Sequence, residues 1–453
     1  MSRSRPGNRK IVFVTPRPEG ESVRAARAVG TLDDVVVLGV TEGLPDPGAA
    51  DAFRDLDVVG DTHDSGQLVD AVRDLAGRWG GVERIVVVHE TLLAPAARAS
   101  EALGLPGMSE ATVLRALDKS RLRRVLHQAG IDTACEQIVA DAADARRFAD
   151  RVGFPLVLKP LTGGGGLRTW RIGSHEQLEL AMGLLKPSAD LQILAAEHLE
   201  GQELCIDTVT LADEPHFHSL CLYEPTILDA LEDPGIQWRC VMPRDISDDR
   251  YRGFVEQGLA AVRSLEVGDA MTHLEGFLLD GGRPCFTDAT LRPAGARIGP
   301  MLGFAYDVDP YRVWARVAVD GCFDGPWERK YAVGTVFLRG VGRGQVERVE
   351  GLEEVRRHMG DDLVDSRVPR AGRRKSPSYT GDGYITVRHP ETEVVKDQLE
   401  WIANTVRITY TCGDDASVNG DGLPWRWSQP RHDDRRHCRP AWDDDSLPCI
   451  GEG

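Results

Sequence analysis

The sequence predicts a mixed α/β and α+β protein in which a parallel sheet is followed by a mainly antiparallel region. Short apolar segments begin at Lys10, Val35 and Arg84, and amphipathic helical patterns separate them. That alternation is typical of βαβ units on a parallel sheet, so the first part of the chain is expected to be Rossmann-like. Further along, two strand-like segments flank a turn at 212–215, and two more surround the glycine pair at 281–282, which indicates antiparallel pairing.

These patterns divide the chain into five predicted parts. They are a Rossmann-like domain over residues 1–115, a small subdomain with a glycine-rich loop over 116–192, a large subdomain over 193–322, a small C-terminal α+β domain over 323–410 and a tail over 411–453. The tail is rich in Asp, Arg, Gly and Pro and lacks periodicity, so it is expected to be disordered. The first domain lacks a GxGxxG fingerprint, and we therefore expect no dinucleotide there.

Composition argues against several classes of protein. The 453 residues include 54 Lys and Arg against 71 Asp and Glu, which gives a formal net charge of -17. A nucleic-acid partner is not expected, because binding to a phosphate backbone requires clustered cations. No apolar segment approaches the roughly 20 residues that span a bilayer, so we expect no membrane partner and predict a cytoplasmic location. The nine cysteines have no CxxC spacing, which indicates neither a zinc site nor a disulfide framework.

A run of four glycines follows a predicted buried strand. The run consists of Gly163, Gly164, Gly165 and Gly166. Because glycines lack a side chain, this backbone can fold closely over phosphate oxygens and offer N–H groups to them. Lys159 lies just before the loop and Lys119 begins the preceding helix, although the whole chain has only seven lysines. The pattern predicts a phosphate site, and its alternative is a mobile hairpin turn with solvated lysines.

An apolar strand with acidic ends follows the glycine-rich region. Glu197, His198 and Leu199 end the strand, and Glu203 comes shortly after at a spacing that suits an adenosine pocket. With these features, the segment from about residue 118 to 310 resembles the ATP-grasp superfamily. The resemblance implies that residues 197–199 bind the adenine edge through backbone groups and that Glu203 takes the ribose hydroxyls. It assigns Lys119 and Lys159 to the nucleotide phosphates and the glycine run to the loop over them.

Two carboxylates downstream suggest a metal site. Glu275 and Asp288 stand on two predicted strands joined by a Gly-Gly turn, so both could face one cleft. Oxygen ligands suit Mg²⁺, with Mn²⁺ as an alternative, and such an ion also bridges phosphates. Two carboxylates on a hairpin can also simply be solvated. The superfamily pattern here is usually Glu-x-Asn-x-Arg, whereas this chain has Asp288, Thr290 and Arg292, which puts a second metal ion in doubt.

Three further residues receive roles at the reacting centre. The resemblance assigns Arg292 to charge stabilisation at an acyl phosphate, a task that suits its fork of N–H donors. Arg297 is expected to bind a substrate carboxylate. His273 is expected to contact substrate or, alternatively, to pack as a structural residue beside the metal strand, because the sequence shows no partner for it.

The resemblance implies an ATP-dependent ligase that joins a carboxylate to an amine through an acyl phosphate. The predicted cofactors are ATP and Mg²⁺, and the predicted partners are amino acid or peptide substrates and a second copy of the chain in a homodimer. Within the superfamily, residues 272–275 and 292–298 look most like L-amino acid ligases and related peptide ligases. The alternatives are a bicarbonate-activating enzyme of the biotin carboxylase type and a non-catalytic ATP-binding protein.

Overall fold

A computed structural model describes residues 9–161, 169–188 and 191–411 of the chain. Gly163, Gly164, Gly165 and Gly166, like residues 412–453 of the predicted tail, lie outside the described residues. The strands are β1 (Arg9–Val14), β2 (Val35–Thr41), β3 (Asp55–Val58), β4 (Arg84–Val86), β5 (Glu136–Val139), β6 (Leu156–Pro160), β7 (Trp170–Ile172), β8 (Ile193–Glu197), β9 (Gly201–Leu211), β10 (Glu214–Glu224), β11 (Arg239–Met242), β12 (Ala270–Leu279), β13 (Pro284–Thr290), β14 (Ala332–Leu338), β15 (Val346–Glu350), β16 (Leu363–Arg367), β17 (Gly383–His389) and β18 (Arg407–Tyr410). The helices are α1 (Gly20–Gly30), α2 (Ser65–Trp79), α3 (Glu90–Leu103), α4 (Glu110–Leu117), α5 (Lys119–Gln128), α6 (Ala142–Val152), α7 (His175–Leu185), α8 (Ile227–Glu232), α9 (Asp249–Ser264), α10 (Ile298–Tyr306), α11 (Pro310–Ala315), α12 (Leu352–Met359) and α13 (Thr392–Thr405).

The first sheet is the expected Rossmann-like one. Its four strands are parallel and follow the order β3-β2-β1-β4. Helix α1 covers one face, while α2 and α3 cover the other. Burial on both faces explains why the strands are continuously apolar instead of alternating. The predicted α/β character of this part of the chain is confirmed.

A second, four-stranded sheet forms the small subdomain, with the order β5-β8-β6-β7 and antiparallel neighbours. Helices α6 and α7 pack on it around Phe148, Leu156 and Leu178, all of which are fully buried. Helix α6 has the expected limits, because Asp141 caps its start by accepting the N–H of Asp144. The strand β6 leads directly towards the glycine run.

The largest sheet has eight strands, in the order β13-β12-β9-β10-β11-β14-β17-β16. Its C-terminal strands are continuous with the rest, because β14 pairs antiparallel with β11 and then with β17. The sheet therefore crosses the boundary predicted at residue 323, and the C-terminal segment extends the large subdomain. The remaining part of that segment is the β15–β18 pair with helices α12 and α13.

Helix α9 covers one face of this large sheet. Tyr251, Phe254 and Val262 of the helix pack with Leu204 and Leu274 of the strands. The opposite face carries a second apolar cluster, which includes residues of β10, β11 and α10. Within the described residues, no helix is both long and apolar enough to cross a membrane.

We expect Phe254→Ala to destabilise the protein by about 3 to 5 kcal/mol, because it leaves a cavity between α9 and the sheet where the ring is fully buried. Urea unfolding monitored by circular dichroism measures the change. Arg252→Ala, at an exposed position on the same helix, is the matched control and should change stability by less than about 0.5 kcal/mol. Equal losses for the two variants would contradict this packing.

Candidate functional site

The candidate site lies on one face of the large sheet, opposite the face that packs against α9. Alternate residues of a strand share a face, so Glu203, Cys205 and Asp207 of β9 point the same way. Strand pairing places Glu275 opposite Cys205 and His273 opposite Asp207. The polar residues of two strands thus form one continuous surface.

The predicted metal ligands meet on this surface. In the β12–β13 pairing, Glu275 lies directly opposite Asp288 and His273 lies directly opposite Thr290. The Thr290 Oγ1 atom is buried and has no hydrogen-bond partner among the described residues. An unpaired buried hydroxyl is costly, and an added ligand would satisfy it. The two carboxylates and this hydroxyl supply the oxygen donors that Mg²⁺ prefers, so the residues fit the ion that the fold implies.

Lys119 is placed beside these carboxylates. Asp118 caps helix α5 by accepting the N–H of Arg121, and this cap fixes the first turn, in which Lys119 stands. The Lys119 ammonium donates a hydrogen bond to Asp288. Burial by itself lowers the pKa of Lys119, but the Asp288 carboxylate outweighs burial and raises that pKa above its usual value. The lysine therefore stays cationic.

The Glu275 carboxylate is held in its ionised form. Burial favours the neutral acid, yet hydrogen bonds from His273 and from the Tyr223 hydroxyl lower the pKa of Glu275 to about 2. The Tyr223 hydroxyl donates to Glu275 Oε1 over 3.0 Å, and His273 Nε2 lies 3.1 Å from the same oxygen. Glu275 can thus offer a negative charge to a cation across the physiological pH range.

His273 lies between two acids. Its Nδ1 atom is 2.9 Å from Asp207 Oδ1, while its Nε2 atom faces Glu275. Burial lowers the pKa of the imidazole, but Cys205 and Asp207 raise it well above its usual value. His273 therefore contacts the candidate metal ligand Glu275 directly, and whether it also contacts substrate stays a prediction.

Lys159 lies in the small subdomain, on β6. Its ammonium is 3.4 Å from the carboxylate of Glu136, which lies on β5 of the same sheet, with β8 between the two strands. The phosphate role assigned to it stays a prediction, as does that of the glycine run, which lies outside the described residues.

The predicted adenine segment connects the two sheets. Glu197 ends β8 and exchanges hydrogen bonds with Cys135, whose main-chain N–H donates to Glu197 Oε2 over 3.2 Å. His198 and Leu199 follow in the connection to β9, outside either sheet. Burial lowers the pKa of His198 to about 4, so its ring is neutral at pH 7. Its Nδ1 atom is buried without a described partner, which leaves a polar atom for a ligand.

Glu203 lines an open cavity of about 740 Å³ that also borders Tyr223 and Asp229. The main-chain N–H of Ile227 donates to Glu203 Oε2 over 2.7 Å. Burial, and then the nearby Glu275 carboxylate, raise the pKa of Glu203 to about 8. Without a ligand, the side chain is therefore mainly protonated at pH 7.

The two predicted arginines lie where the N-terminal domain meets the large subdomain. Arg292 donates to Glu90 Oε2 over 2.9 Å and to its neighbour, the Pro293 carbonyl, over 2.8 Å. Arg297 donates to Asp365 from β16, and its guanidinium stacks 4.3 Å from the Tyr384 ring. Arg292 thus faces the domain junction with an exposed acid as its partner, whereas Arg297 is already engaged by a C-terminal acid.

Some residues of the site were not anticipated from the sequence. Asp207, Tyr223 and Tyr379 carry no local motif, and only strand pairing or long-range packing brings them to Glu275. Tyr379 comes from the C-terminal segment, where its ring packs edge-on against Trp238 at 4.7 Å. Burial raises its pKa, and the carboxylates of Glu275 and Glu203 raise it further. The C-terminal segment therefore contributes one wall of the site.

Comparisons with known proteins agree with this architecture. Residues 23–107 match the ATP-grasp N-terminal domain family. The crystal structure of L-amino acid ligase from Bacillus licheniformis superposes with a TM-score of 0.73 at 19% identity, covering 90% of this chain and 100% of that chain. The chain therefore has the ATP-grasp fold, and the fold class expected from its sequence is confirmed.

Curated relatives give the finer resemblance. Alanine–anticapsin ligase of Bacillus subtilis is 24% identical over 260 residues, which are 54% of this chain and 55% of that protein. The L-arginine-specific L-amino acid ligase of the same organism is 23% identical over 222 residues, 48% of this chain and 52% of that protein. The chain spans about half the length of these curated relatives. The chain shares the ATP-grasp fold, and these two curated relatives are amino acid ligases.

The fold is also shared with a bicarbonate-binding relative. The biotin carboxylase domain of 2-oxoglutarate carboxylase from Hydrogenobacter thermophilus, in complex with MgADP and bicarbonate, has a TM-score of 0.63 at 18% identity. It covers 88% of this chain and 90% of that chain. At this identity the likeness concerns the fold alone. It therefore does not distinguish amino acid substrates from bicarbonate.

We expect Glu203→Gln to be more stable than the wild type without nucleotide, by an amount that grows as the pH rises from about 5 to 8. In the unfolded chain Glu203 ionises near its usual pKa of 4.5, whereas the folded protein keeps the proton up to about pH 8. The free energy of unfolding of the wild type therefore falls, relative to that of the variant, as the pH rises from about 5 to 8. Urea unfolding at pH 5, 6.5 and 8 measures the difference, and a gap that does not change with pH would contradict it.

Proposed function

We propose that this protein is an ATP-dependent, ADP-forming ligase that joins the carboxylate of an amino acid to the amine of an amino acid or peptide. The observation that supports it most is the meeting of Lys119, Glu275, Asp288 and Thr290 on one surface. Tyr223, which contacts Glu275, also borders the cavity lined by Glu203. A cation site of oxygen donors next to an ammonium suits a nucleotide triphosphate. The resemblance to amino acid ligases supports the choice of substrates.

The nucleotide would lie between the two subdomains. The connection at 197–199 follows the adenine edge, and Glu203, which has a main-chain partner on one oxygen, accepts from the ribose hydroxyls. Lys119, which begins α5, and Lys159, on β6 of the small subdomain, would neutralise phosphate charge. Both lysines face carboxylates in the described structure, so phosphate oxygens would take the place of Asp288 and Glu136 as their partners.

Glu275, Asp288 and Thr290 would hold magnesium. A bound ion of this kind would supply positive charge that stabilises the transferred phosphoryl group. His273 and Tyr223 fix the Glu275 carboxylate through its Oε1 atom, which leaves Oε2 free to face the cleft. The carboxylate therefore keeps both its charge and its orientation throughout a reaction cycle.

The reacting groups would meet near Arg292. A substrate carboxylate attacks the γ-phosphorus, and ADP leaves as an acyl phosphate forms. An amine then attacks the acyl carbon, and phosphate leaves. Arg292 offers a fork of N–H donors to the developing charge, and its position at the domain junction allows it to exchange Glu90 for substrate. Arg297 is proposed to bind the substrate carboxylate, which would require it to share or release Asp365.

The direct test is ADP release from MgATP by the full chain with a panel of amino acid pairs, compared with bicarbonate alone. Substrate-dependent release with amino acid pairs supports the proposal, and mass spectrometry should then detect the dipeptide. Release with bicarbonate alone would instead favour the biotin carboxylase type of activity. Nucleotide binding without release on either panel would favour a non-catalytic ATP-binding protein.

We expect Lys119→Met to lower kcat/KM for the ligase reaction by about 100-fold or more, because it removes a buried charge from the phosphate site. Initial rates of ADP release measure the effect. Lys186→Met is the matched control, since that lysine is exposed and lies outside the cleft, and it should remain within about twofold of the wild type. Similar losses in both variants would contradict the assignment.

We expect Thr290→Val to raise the Mg²⁺ concentration required for half-maximal rate by about 10-fold, because the isosteric change deletes only a buried hydroxyl to which the described part of the chain offers no partner. Thr290→Ser keeps the hydroxyl and should behave like the wild type. Rates measured across a Mg²⁺ titration at constant ATP separate these cases. A normal Mg²⁺ requirement for the valine variant would show that Thr290 does not face the ion.

A further inference from the structure

Three side chains that can ligate metals meet on the same sheet face, beside the candidate magnesium ligands. His273 Nδ1 lies 2.9 Å from Asp207 Oδ1, and Cys205 Sγ lies 3.8 Å from Asp207 Oδ2. One donor atom from each of the three residues lies within 4.8 Å of the other two. All three residues are buried. The ligase mechanism makes no use of Cys205, and it uses Asp207 only through His273.

We propose that Cys205, Asp207 and His273 form a binding site for one thiophilic divalent cation of the zinc class. Tetrahedral Zn²⁺ with S, N and O ligands sets donor atoms roughly 3.4 to 3.6 Å apart. The two separations given above already lie within about half an ångström of those values. Small side-chain adjustments are therefore enough to bring the three donors around one ion.

The surroundings of His273 match those of metal-bound histidines. A ligating histidine usually donates its second ring N–H to a carboxylate, which fixes the tautomer and orients the ring. Here Nδ1 faces the cluster, while Nε2 lies 3.1 Å from Glu275 Oε1. The cation would thus lie beside the magnesium site, with the His273 imidazole between it and Glu275. The Glu275 side chain, next to His273, is partly exposed to solvent. A metal ion would therefore reach the cluster past Glu275.

The donor set selects against magnesium. Sulfur and imidazole donors favour Zn²⁺ or Cd²⁺ over Mg²⁺, which prefers oxygen ligands alone. Cys221 stands directly opposite Cys205 in the β9–β10 pairing and lies outside the group of three donors. With the three primary ligands, the entering 2+ ion displaces the Cys205 thiol proton and the His273 Nδ1 proton, so the net charge of the buried cluster does not change. No oxidation or reduction is involved.

Sequence spacing could not reveal this arrangement. The donors stand on β9 and β12, and residues 205 and 273 are brought together by pairing of strands that lie far apart in the chain. The expectation that the cysteines form no zinc site rested on the absence of CxxC spacing, which detects only ligands that are close in sequence. The inference is independent of the ligase activity, since it requires neither nucleotide nor substrate.

The test is a Cd²⁺ titration of the full chain, reduced and freed of metal with a chelator. Sulfur-to-cadmium charge-transfer absorption reports thiolate ligation, and the thermal midpoint with Zn²⁺ reports stabilisation of the folded state. We expect the wild type to bind one more equivalent of Cd²⁺ than Cys205→Ser. We also expect Zn²⁺ to raise the thermal midpoint of the wild type and not that of the variant.

Cys285→Ser is the matched control, because Cys285 is a buried thiol on β13 outside the cluster. It should bind as many equivalents as the wild type. Comparison of the variants decides the test, since the chain has nine cysteines. If circular dichroism shows that Cys205→Ser does not fold, the isosteric Asp207→Asn replaces it under the same criterion. Equal Cd²⁺ binding and equal Zn²⁺ stabilisation in the wild type and the cluster variant would overturn the proposal.

Discussion

The pairing register of β9, β12 and β13 is the constraint on which the whole site depends. It sets Glu275 opposite Asp288 and keeps both on the same surface as Glu203. A slip of one residue would turn every side chain of a strand to the opposite face. The register is held from behind, where Leu274 and Phe254 pack in the core between the sheet and α9. Hydrophobic packing on one face therefore positions the charges on the other.

Acidic side chains outnumber cationic side chains at the site. Glu203, Asp207, Glu275 and Asp288 lie close together, and the nearby cations include Lys119, Lys159 and His273. The cost of this excess is visible at Glu203, whose pKa rises to about 8 through burial and the proximity of Glu275. Such a surface is suited to binding cations. An added positive charge reduces the repulsion between the carboxylates and offsets the cost of burying their charge. The two cation sites that we propose use different donor atoms of the same surface.

The N-terminal and C-terminal parts of the chain both reach this surface. Glu90 of α3 pairs with Arg292, and Asp365 of β16 pairs with Arg297. Tyr379 adds an aromatic wall beside Trp238. Because the two arginines come from one short segment after β13, that segment ties three regions together. Substrate that binds at either arginine would compete with a contact between regions, which couples binding to their packing.

The sequence by itself determined the local elements and the kinds of residue at the site. Buried strands, capped helices and the positions of Lys119, Glu275 and Asp288 follow from periodicity and short motifs, since these depend on neighbouring residues. The tertiary structure alone decided which groups meet: Asp207 beside His273, Asp365 on Arg297 and the addition of β14 to the large sheet. Such partners are separated by tens of residues, and only the packed sheet brings them within hydrogen-bonding distance. Pairing register and long-range packing leave no local pattern, so they could not be predicted from the sequence.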